Sequence, residues 1–475
     1  MVLEEIKPES LNGSNPFLKF VKDQHIVEIP VLRLESGIEV RNVAVAYKSW
    51  GSLNETKDNV VVVCHGLTGA CDITSWWAPL FGNGRVLDPS RSFIICLNSL
   101  GSPYGSFSPL SIDAVTGLPY GPEFPLCTVR DDVAAHKLVL DSLGVNSIAF
   151  VIGGSMGGML ALEWAATYGS EYVQHVIALA TTAQSSAWCM AWSELQRQSI
   201  YSDQKYRGGY YSQDDPPVSG LASARISGLM TYRTRDSFES RFSRSTPSTV
   251  EGRPPPLCEK DGRTSLRGHS YAIHNDGLTS SSRPEAENEI SPQSSDDSLK
   301  LKYSTSSATL VSSQNSLKEQ ISCNDIQTYF SVQSYLRYQG SKFVKRFDAN
   351  CYIALTRKMD THDLARDRPE YNGDISKALR SLSQPVLVIG IHSDCLFPYQ
   401  EQELLAKNIL KCRLEKIVSS DGHDAYLLES PLINSIVLDF LQKHLKDKST
   451  VVAQPWEQST ESIGNSEFVF GVDED

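Results

Sequence analysis

A serine flanked by glycines stands where an apolar strand pattern meets an apolar helix pattern, and this feature constrains the fold most. Residues 148–152 read Ile-Ala-Phe-Val-Ile, a run typical of a buried parallel strand. Residues 153–158 read Gly-Gly-Ser-Met-Gly-Gly, and residues 159–166 continue as an apolar helix. So sharp a turn strains the serine backbone and requires glycines where strand and helix pass closely. The pattern predicts a nucleophile elbow that exposes Ser155, with a tight structural turn as the alternative.

A serine hydroxyl is a weak nucleophile at neutral pH, so Ser155 requires a histidine base and an orienting carboxylate. Both follow later strand patterns, in the order serine, acid, histidine that the α/β-hydrolase fold uses. Asp394 lies in the loop after the apolar run Pro385–Gly390, and His423 lies in the polar turn after residues 414–418. The sequence therefore predicts Asp394 as the acid and His423 as the base.

Other residues of the same types compete for these roles. Asp421 and Asp424 are too close to His423 in sequence to come from the preceding loop. The position after the last strand pattern favours His423, whereas His65 and His392 carry only the background expectation for a histidine.

Two backbone N–H groups must face the charge that develops on the acyl oxygen. Met156 directly follows the nucleophile and is predicted to supply the first. The second should come from the loop after Val60–Cys64, where residues 65–69 read His-Gly-Leu-Thr-Gly. Leu67 is the predicted donor by its position, and an ordinary glycine-containing turn is the alternative.

These motifs, with several others, resemble the homoserine O-acetyltransferases of the α/β-hydrolase superfamily, and especially the fungal ones. The matching segments cover most of the chain outside one insert: His65–Gly69, Asn98–Gly105, Gly153–Gly158, Thr231–Arg233, Tyr338–Phe343, Arg346–Asn350, Ser393–Pro398 and Gly422–Leu427. Several segments in one order are more specific than any single motif. The resemblance implies acetyl transfer from acetyl-CoA to L-homoserine through an acyl-serine, for methionine biosynthesis.

The resemblance also implies the triad and the oxyanion donors named above, and it adds two residues that would hold the acceptor. Arg233 would bind the carboxylate of homoserine, and Asp424 would bind its ammonium group. A planar guanidinium suits a carboxylate because it donates two parallel hydrogen bonds. As alternatives, Arg233 is one solvated cation in an arginine-rich segment, and Asp424 caps a loop.

The residues leave other reactions on the same scaffold open. Serine or a cephalosporin-type alcohol could replace homoserine as the acceptor, and succinyl-CoA could replace acetyl-CoA as the donor. Transfer also requires that water be kept from the acyl-serine, so a serine esterase or other hydrolase is the alternative within the enzyme class.

Composition excludes several classes of partner. A net charge of -12 argues against binding to nucleic acid or to an anionic membrane. No apolar run reaches the roughly 18 residues of a membrane-spanning helix, and the N-terminus lacks a targeting pattern.

Ten cysteines without a C-x-x-C pair indicate reduced thiols in the cytoplasm rather than a metal site. No bound cofactor is expected, and related enzymes suggest a homodimer.

Strand patterns alternate with helix patterns along much of the chain. The strand patterns are Ile26–Leu34, Val43–Ser49, Val60–Cys64, Phe93–Leu97, 148–152, His175–Ala180, Pro385–Gly390 and Leu414–Val418. Asp131 and Asp132 mark the start of a helix, with acids at its positive end. The alternation predicts an α/β-hydrolase fold, with a mostly parallel sheet covered by helices on both faces and antiparallel early strands.

The chain divides into three predicted regions. Residues 1–182 and 383–475 form the two parts of the α/β core, and residues 183–382 form a helical lid between them. Within the lid, residues 243–323 contain no Trp, Phe or Met. Such a segment cannot bury enough apolar surface to offset the entropy of ordering, which predicts a disordered insert. A phosphorylated regulatory loop is the alternative.

Overall fold

A nine-stranded sheet organises the computed structural model of this chain, which describes residues 2–7, 11, 15–246, 273–277 and 329–445. The strands are β1 (Glu4–Glu5), β2 (His25–Arg33), β3 (Glu39–Trp50), β4 (Val60–Cys64), β5 (Phe93–Leu97), β6 (Ile148–Gly154), β7 (Val176–Leu179), β8 (Val386–Ile391) and β9 (Cys412–Ile417). Their order across the sheet is β1-β2-β3-β5-β4-β6-β7-β8-β9.

The sheet changes from antiparallel to parallel partway across. β1, β2, β3 and β5 pair antiparallel with their neighbours in that order. From β5 onward through β4, β6, β7, β8 and β9 every pairing is parallel. The apolar strands β4, β7 and β8 are buried at every residue because helices cover both faces of a parallel sheet. The predicted mostly parallel sheet with antiparallel early strands is confirmed.

Eleven α-helices have both of their ends within the described residues. They are α1 (Val129–Ser142), α2 (Met156–Tyr172), α3 (Ala187–Tyr201), α4 (Val218–Tyr232), α5 (Arg235–Arg241), α6 (Ser331–Val344), α7 (Ala349–Asp360), α8 (Ile375–Arg380), α9 (Tyr399–Asn408), α10 (Ala425–Leu428) and α11 (Ser430–His444). Short 3-10 helices cover Leu18–Phe20, Ile73–Ser75, Ala78–Leu80, Gly121–Glu123, Gln204–Gly209 and Gly422–Asp424. None of the helices in the described ranges combines the length and the apolarity needed to cross a lipid bilayer.

Helix α1 begins at Val129, two residues before the acids that mark it in the sequence. The side chain of Thr128 accepts a hydrogen bond from the backbone N–H of Asp131, and the Asp131 carboxylate accepts one from the backbone N–H of Thr128. This reciprocal capping box satisfies two N–H groups that the first helical turn leaves unpaired. Asp131 therefore acts at the third helical position rather than at the first.

Six of the helices, α3 to α8, lie between β7 and β8, where the sequence predicts a lid over residues 183–382. The boundaries of that lid and of the two core regions stay predictions. The predicted disordered insert at 243–323 lies outside the described residues, apart from 243–246 and 273–277.

Contacts divide the chain into two units, Met1–Ser243 with Tyr335–Asp475, and Arg244–Ser334. The first unit contains the sheet and the site described below. In the second unit, the guanidinium of Arg244 lies over the ring of Phe330, 4.9 Å from its centroid.

A buried ion pair joins α7 to α1 and holds the loop after β5. The side chains of Lys358 on α7 and Asp132 on α1 are 1% and 0% exposed, and they contact each other directly. Lys358 Nζ also donates to the Leu100 carbonyl at 2.7 Å, and Asp132 accepts from the Leu100 N–H at 2.9 Å. Both charges are therefore paired and hydrogen-bonded, as a buried pair must be. The backbone at Leu100 is held from both sides.

Candidate active site

Ser155 occupies the sharp turn between β6 and α2 that the sequence predicts. Its backbone has φ 58° and ψ -128°, a conformation that residues other than glycine rarely adopt. A methyl group on Gly157 would lie 2.1 Å from the carbonyl oxygen of Cys64, so only glycine fits where α2 passes β4. The strand–turn–helix geometry holds Ser155 at the carboxyl end of β6, near the middle of the sheet.

Asp394 and His423 come together from two different loops. Asp394 follows β8 and His423 lies on the short 3-10 helix after β9. The Oδ2 atom of Asp394 is 2.7 Å from Nδ1 of His423. Its Oδ1 atom accepts backbone N–H groups from Leu396 at 2.8 Å and Phe397 at 2.9 Å. A carboxylate held in this way keeps the proton of His423 on Nδ1, which leaves Nε2 as the basic nitrogen.

The ring of His423 is buried among aromatic side chains. Its centroid lies 5.9 Å from that of Tyr232, 5.5 Å from that of Phe397 and 5.3 Å from that of Tyr426. Burial lowers the pKa of His423, but the charge and hydrogen bond of Asp394 and the charge of Asp424 oppose this effect. The resulting pKa lies above the ordinary value. The environment therefore supports a histidine that takes up and releases a proton near neutral pH.

A cavity of about 30 Å³ brings several predicted residues together. Its lining residues are Gly66, Leu67, Thr68, Ser155, Tyr232, Met359, Leu396, His423, Asp424, Tyr426 and Leu427. The nucleophile, the base, one predicted oxyanion donor and one predicted acceptor ligand thus line the same cavity. A larger cavity of about 160 Å³, along Pro217, Val218 and Phe347, contains none of the predicted site residues.

Met156, the other predicted oxyanion donor, is fully buried at the first position of α2, directly after Ser155. The first N–H groups of a helix have no partner within the helix, so they are oriented toward the space before it. The position of Met156 is therefore compatible with donation to an oxyanion, and its role stays a prediction.

Arg233 and Asp424, the predicted acceptor ligands, contact each other. Nε of Arg233 is 3.0 Å from Oδ2 of Asp424, and its Nη1 is 2.8 Å from Oδ1 of Asp421. Asp424 lines the cavity, whereas Arg233 lies behind it and is not among the lining residues. Burial raises the pKa of Asp424, and Arg233 and His423 oppose that effect. The sequence interpretation did not foresee the contact between Arg233 and Asp421.

The sequence analysis did not predict several residues that line the cavity. Four of them lie inside segments that carry the family resemblance, so those segments could have indicated them: Tyr232, Leu396, Tyr426 and Leu427. Met359 had none, because it reaches the cavity from α7, far along the chain from the other residues. No group of three or more His, Cys, Asp or Glu side chains within the described ranges could hold a metal ion.

Known proteins resemble this chain over its length. The family described as "alpha/beta hydrolase fold" matches residues 59–254. A homoserine O-acetyltransferase from Saccharomyces cerevisiae is 54% identical, and the match covers 100% of this chain and 97% of the relative. One from Ascobolus immersus is 47% identical over 90% of this chain and 89% of its own length. One from Schizosaccharomyces pombe is 46% identical over 97% of this chain and 95% of its own length.

Solved structures with the same fold include both a transferase and an esterase. The homoserine O-acetyltransferase from Bacillus anthracis aligns with a TM-score of 0.66 at 20% identity, covering 88% of this chain and 97% of the other. Esterase E22 aligns with a TM-score of 0.66 at 22% identity, covering 88% and 99%. The predicted α/β-hydrolase fold is confirmed. The fold alone does not separate transfer from hydrolysis.

Proposed function

The chain belongs to the homoserine O-acetyltransferase family, and from this premise we propose that it transfers the acetyl group of acetyl-CoA to the hydroxyl of L-homoserine through a covalent acetyl-serine. The product is O-acetyl-L-homoserine, and the proposed role of the reaction is in methionine biosynthesis. One observation supports the mechanism most directly. Ser155, His423 and Asp424 share one small cavity, and Asp394 lies 2.7 Å from the ring of His423 on the side away from Nε2.

In the first half of the reaction, Ser155 is acetylated. Nε2 of His423 takes the proton of the Ser155 hydroxyl as its oxygen attacks the thioester carbonyl. The N–H groups of Leu67 and Met156 stabilise the negative charge on the carbonyl oxygen. The carbon–sulfur bond then breaks, and the leaving sulfur takes the proton from His423. Coenzyme A therefore leaves as the thiol, and His423 is neutral again. An acetyl ester on Ser155 remains.

In the second half, homoserine replaces coenzyme A. His423 takes the proton of the homoserine hydroxyl as its oxygen attacks the carbonyl carbon of the acetyl ester. The bond between that carbon and the Ser155 oxygen then breaks, O-acetyl-L-homoserine leaves, and His423 returns the proton to Ser155. Asp424 binds the ammonium group at the cavity wall, and Arg233 binds the carboxylate. Arg233 also contacts Asp424 and Asp421. To bind the carboxylate of homoserine, Arg233 exchanges one of these protein carboxylates for that of the substrate.

The cavity favours a small neutral acyl group. Its volume is about 30 Å³, and Leu67, Met359, Leu396 and Leu427 contribute apolar walls. Asp424 is the one carboxylate among the described residues that line it, and no lysine or arginine accompanies it there. A succinyl group would add a second carboxylate, and the nearby cation, Arg233, is already assigned to the carboxylate of homoserine. The added charge would therefore lack a partner in the site. These features support acetyl-CoA rather than succinyl-CoA as the donor.

We also propose that the enzyme works in the cytoplasm. The eight cysteines within the described ranges are all free thiols. Six of them are buried, and burial raises the pKa of each of these six thiols above its ordinary value, which disfavours the reactive thiolate. Reduced cysteines of this kind are typical of cytosolic proteins. The amount of the protein in cytosolic and organelle fractions tests the location, and thiol titration of each fraction shows whether its cysteines are reduced.

The test of the reaction is the release of coenzyme A from acetyl-CoA with homoserine, with serine and without an acceptor, followed by mass analysis of the product. Homoserine-dependent release with acetylated homoserine is expected. Release that does not depend on the acceptor would indicate a hydrolase, and release only with serine would indicate a serine acetyltransferase. Ser155→Ala should abolish the acetyl-protein adduct, while Ser193→Ala, at a buried serine on α3 outside the cavity lining, should not.

A further inference from the structure

His65 is a buried histidine beside the active site that the proposed mechanism does not use. Its side chain is 1% exposed, and it lies between β4 and the loop that carries Leu67. Its two ring nitrogens contact two different backbone groups. The N–H of Ser99 lies 3.0 Å from Nε2, and the carbonyl oxygen of Gly66 lies 2.8 Å from Nδ1.

These two contacts determine where the proton of the His65 ring lies. A backbone N–H can only donate, so Nε2 must accept from Ser99 and carries no proton. A backbone carbonyl can only accept, so Nδ1 must carry the proton that it donates to Gly66. Burial lowers the pKa of His65 to about 4, although the bond to Gly66 opposes that effect. The ring is therefore neutral, with one tautomer, at the pH where His423 acts as a base.

The Gly66 carbonyl belongs to the same peptide unit as the N–H of Leu67. A trans peptide is planar, and its C=O and N–H groups point in opposite directions. Fixing the direction of the Gly66 oxygen therefore also fixes the direction of the Leu67 N–H. The N–H of Gly69 donates to the same oxygen at 3.0 Å, so a tight turn supports the orientation as well.

On its Nε2 side, His65 contacts a backbone segment that is itself held by other contacts. Ser99 is fully buried, and the next residue, Leu100, is held by the buried pair of Asp132 and Lys358. His65 thus connects a buried, hydrogen-bonded backbone segment after β5 to the peptide whose N–H is the proposed oxyanion donor.

We propose that His65 is a positioning residue for the oxyanion, which orients the Leu67 N–H through its Nδ1–H bond to the Gly66 carbonyl. The proposal rests on the proposed function, because it assumes an oxyanion at Ser155. It gives His65 no contact with substrate and no proton transfer. A misdirected donor weakens binding of the charged oxygen in both halves of the reaction and leaves ground-state binding of the substrates unchanged.

Two substitutions separate the two bonds of His65. The amide of asparagine reaches the position of Nδ1, so His65→Asn can still donate to Gly66 but loses the bond to Ser99. The amide of glutamine reaches the position of Nε2, so His65→Gln can still accept from Ser99 but loses the bond to Gly66. We expect kcat to fall about 10- to 100-fold in His65→Gln, and less than about fivefold in His65→Asn, with KM for both substrates nearly unchanged.

A second readout distinguishes orientation of the oxyanion donor from a merely structural role. Trifluoroacetone adds to serine hydroxyls as a tetrahedral adduct with a charged oxygen. Its affinity should fall in His65→Gln by the same factor as kcat, while the affinity for coenzyme A stays at the wild-type value. The control is His362→Asn, because His362 is also buried but contacts the Thr182 carbonyl at 3.2 Å, away from the loop of Leu67. It should change thermal stability and not kcat.

Equal losses of kcat in the two His65 variants, or a trifluoroacetone affinity that does not follow kcat, would overturn the proposal. If neither variant folds, nitrogen-15 NMR of the histidines in the wild-type protein decides. A proton on Nε2 of His65 at neutral pH would overturn the proposal, and one on Nδ1 supports it. Turnover that survives Ser155→Ala would instead show that the proposed function is wrong.

Discussion

His423 is the residue on which both halves of the proposed reaction depend, and its protonation state follows from its neighbours. Burial alone would favour the neutral ring, but Asp394 and Asp424 raise its pKa above 6.5. A raised pKa in the folded state means that folding favours the protonated form. That contribution to stability is fully present below the unfolded pKa and is lost as the pH rises through the folded pKa. The base is therefore formed at some cost in stability.

We expect kcat/KM for acetyl-CoA to rise with pH and to level off above the pKa of His423, because only the neutral ring accepts the Ser155 proton. The midpoint should lie above 6.5. In Asp394→Asn the midpoint should move to lower pH, and the rate should fall by about 10³- to 10⁴-fold, since the ring loses its fixed tautomer. Steady-state rates from pH 5 to pH 9 measure both effects. A midpoint that does not move would contradict the assignment of Asp394.

The contacts of Arg233 lead to a second expectation. Arg233→Lys keeps the charge but loses the fork that reaches Asp421 and Asp424 through separate nitrogens. KM for homoserine should rise about 10- to 100-fold because a bidentate contact with the carboxylate is lost. The burst of coenzyme A released in the absence of acceptor should stay unchanged. Arg413→Lys is the matched control, because Arg413 also contacts two carboxylates but lies on β9. A reduced burst in Arg233→Lys would place Arg233 in the acylation step instead.

Some residues of the site could be predicted from the sequence, and others could not. Ser155, Asp394 and His423 could be predicted because each follows a strand pattern, and strand ends meet at one edge of a parallel sheet. Asp421 was considered only as a rival acid, and its contact with Arg233 depends on how α4 packs against the loop after β9. Met359 gave no local signal for the same reason. Contacts between separately folded helices are set by packing, which short patterns do not encode.

At the scale of elements, the turn from β6 into α2 is the most constrained part of the fold. The backbone of Ser155 is held at a positive φ, and the glycines on either side permit contacts that a methyl group would prevent. The strand patterns predicted β4 and β5 to the residue and most other strands to within a few residues. The capping box at Thr128 was missed, although its spacing is visible in the sequence. Elements are thus more predictable in type than in their ends.

Gly157→Ala tests the close approach of α2 to β4. The added methyl group would lie 2.1 Å from the Cys64 carbonyl oxygen, so strand and helix must separate. We expect the free energy of unfolding to fall by about 3 kcal/mol, the upper end of the usual cost of overpacking, because the methyl group meets backbone atoms. Gly37→Ala is the control, because Gly37 has φ +86° but no atom within 4 Å of the added carbon. It should cost only about 1–2 kcal/mol of backbone strain. Urea unfolding monitored by tryptophan fluorescence compares the two.

At the scale of the whole molecule, the sheet accounts for the order of the site residues along the chain. The nucleophile follows β6, and the acid and the base follow β8 and β9, on the same side of the nucleophile strand in the sheet order. The helices α3 to α8 intervene between β7 and β8 and contribute Tyr232, Arg233 and Met359. The sheet could be predicted from strand patterns. The relative placement of those helices could not, because their apolar faces allow several packings.

Replacing residues 248–316 with a short glycine-serine linker should leave the α/β core folded and kcat unchanged. The removed segment contains no Trp, Phe or Met, and its described residues, 273–277, are not among those that line the cavity. The midpoint of thermal unfolding and kcat with homoserine measure the outcome. Loss of the folded state would show that the segment carries core contacts, and loss of activity alone would favour the regulatory alternative.

The position of these helices between β7 and β8 also divides the triad along the polypeptide. Ser155 is synthesised well before Asp394 and His423, so a nascent chain on the ribosome has an elbow but no base until its last strands emerge. A protease cut within residues 248–316 would likewise separate nucleophile and base onto two fragments. Neither fragment could form the acetyl-serine efficiently alone. Activity recovered on mixing them would report their reassembly, which makes this segment a natural place to split the enzyme.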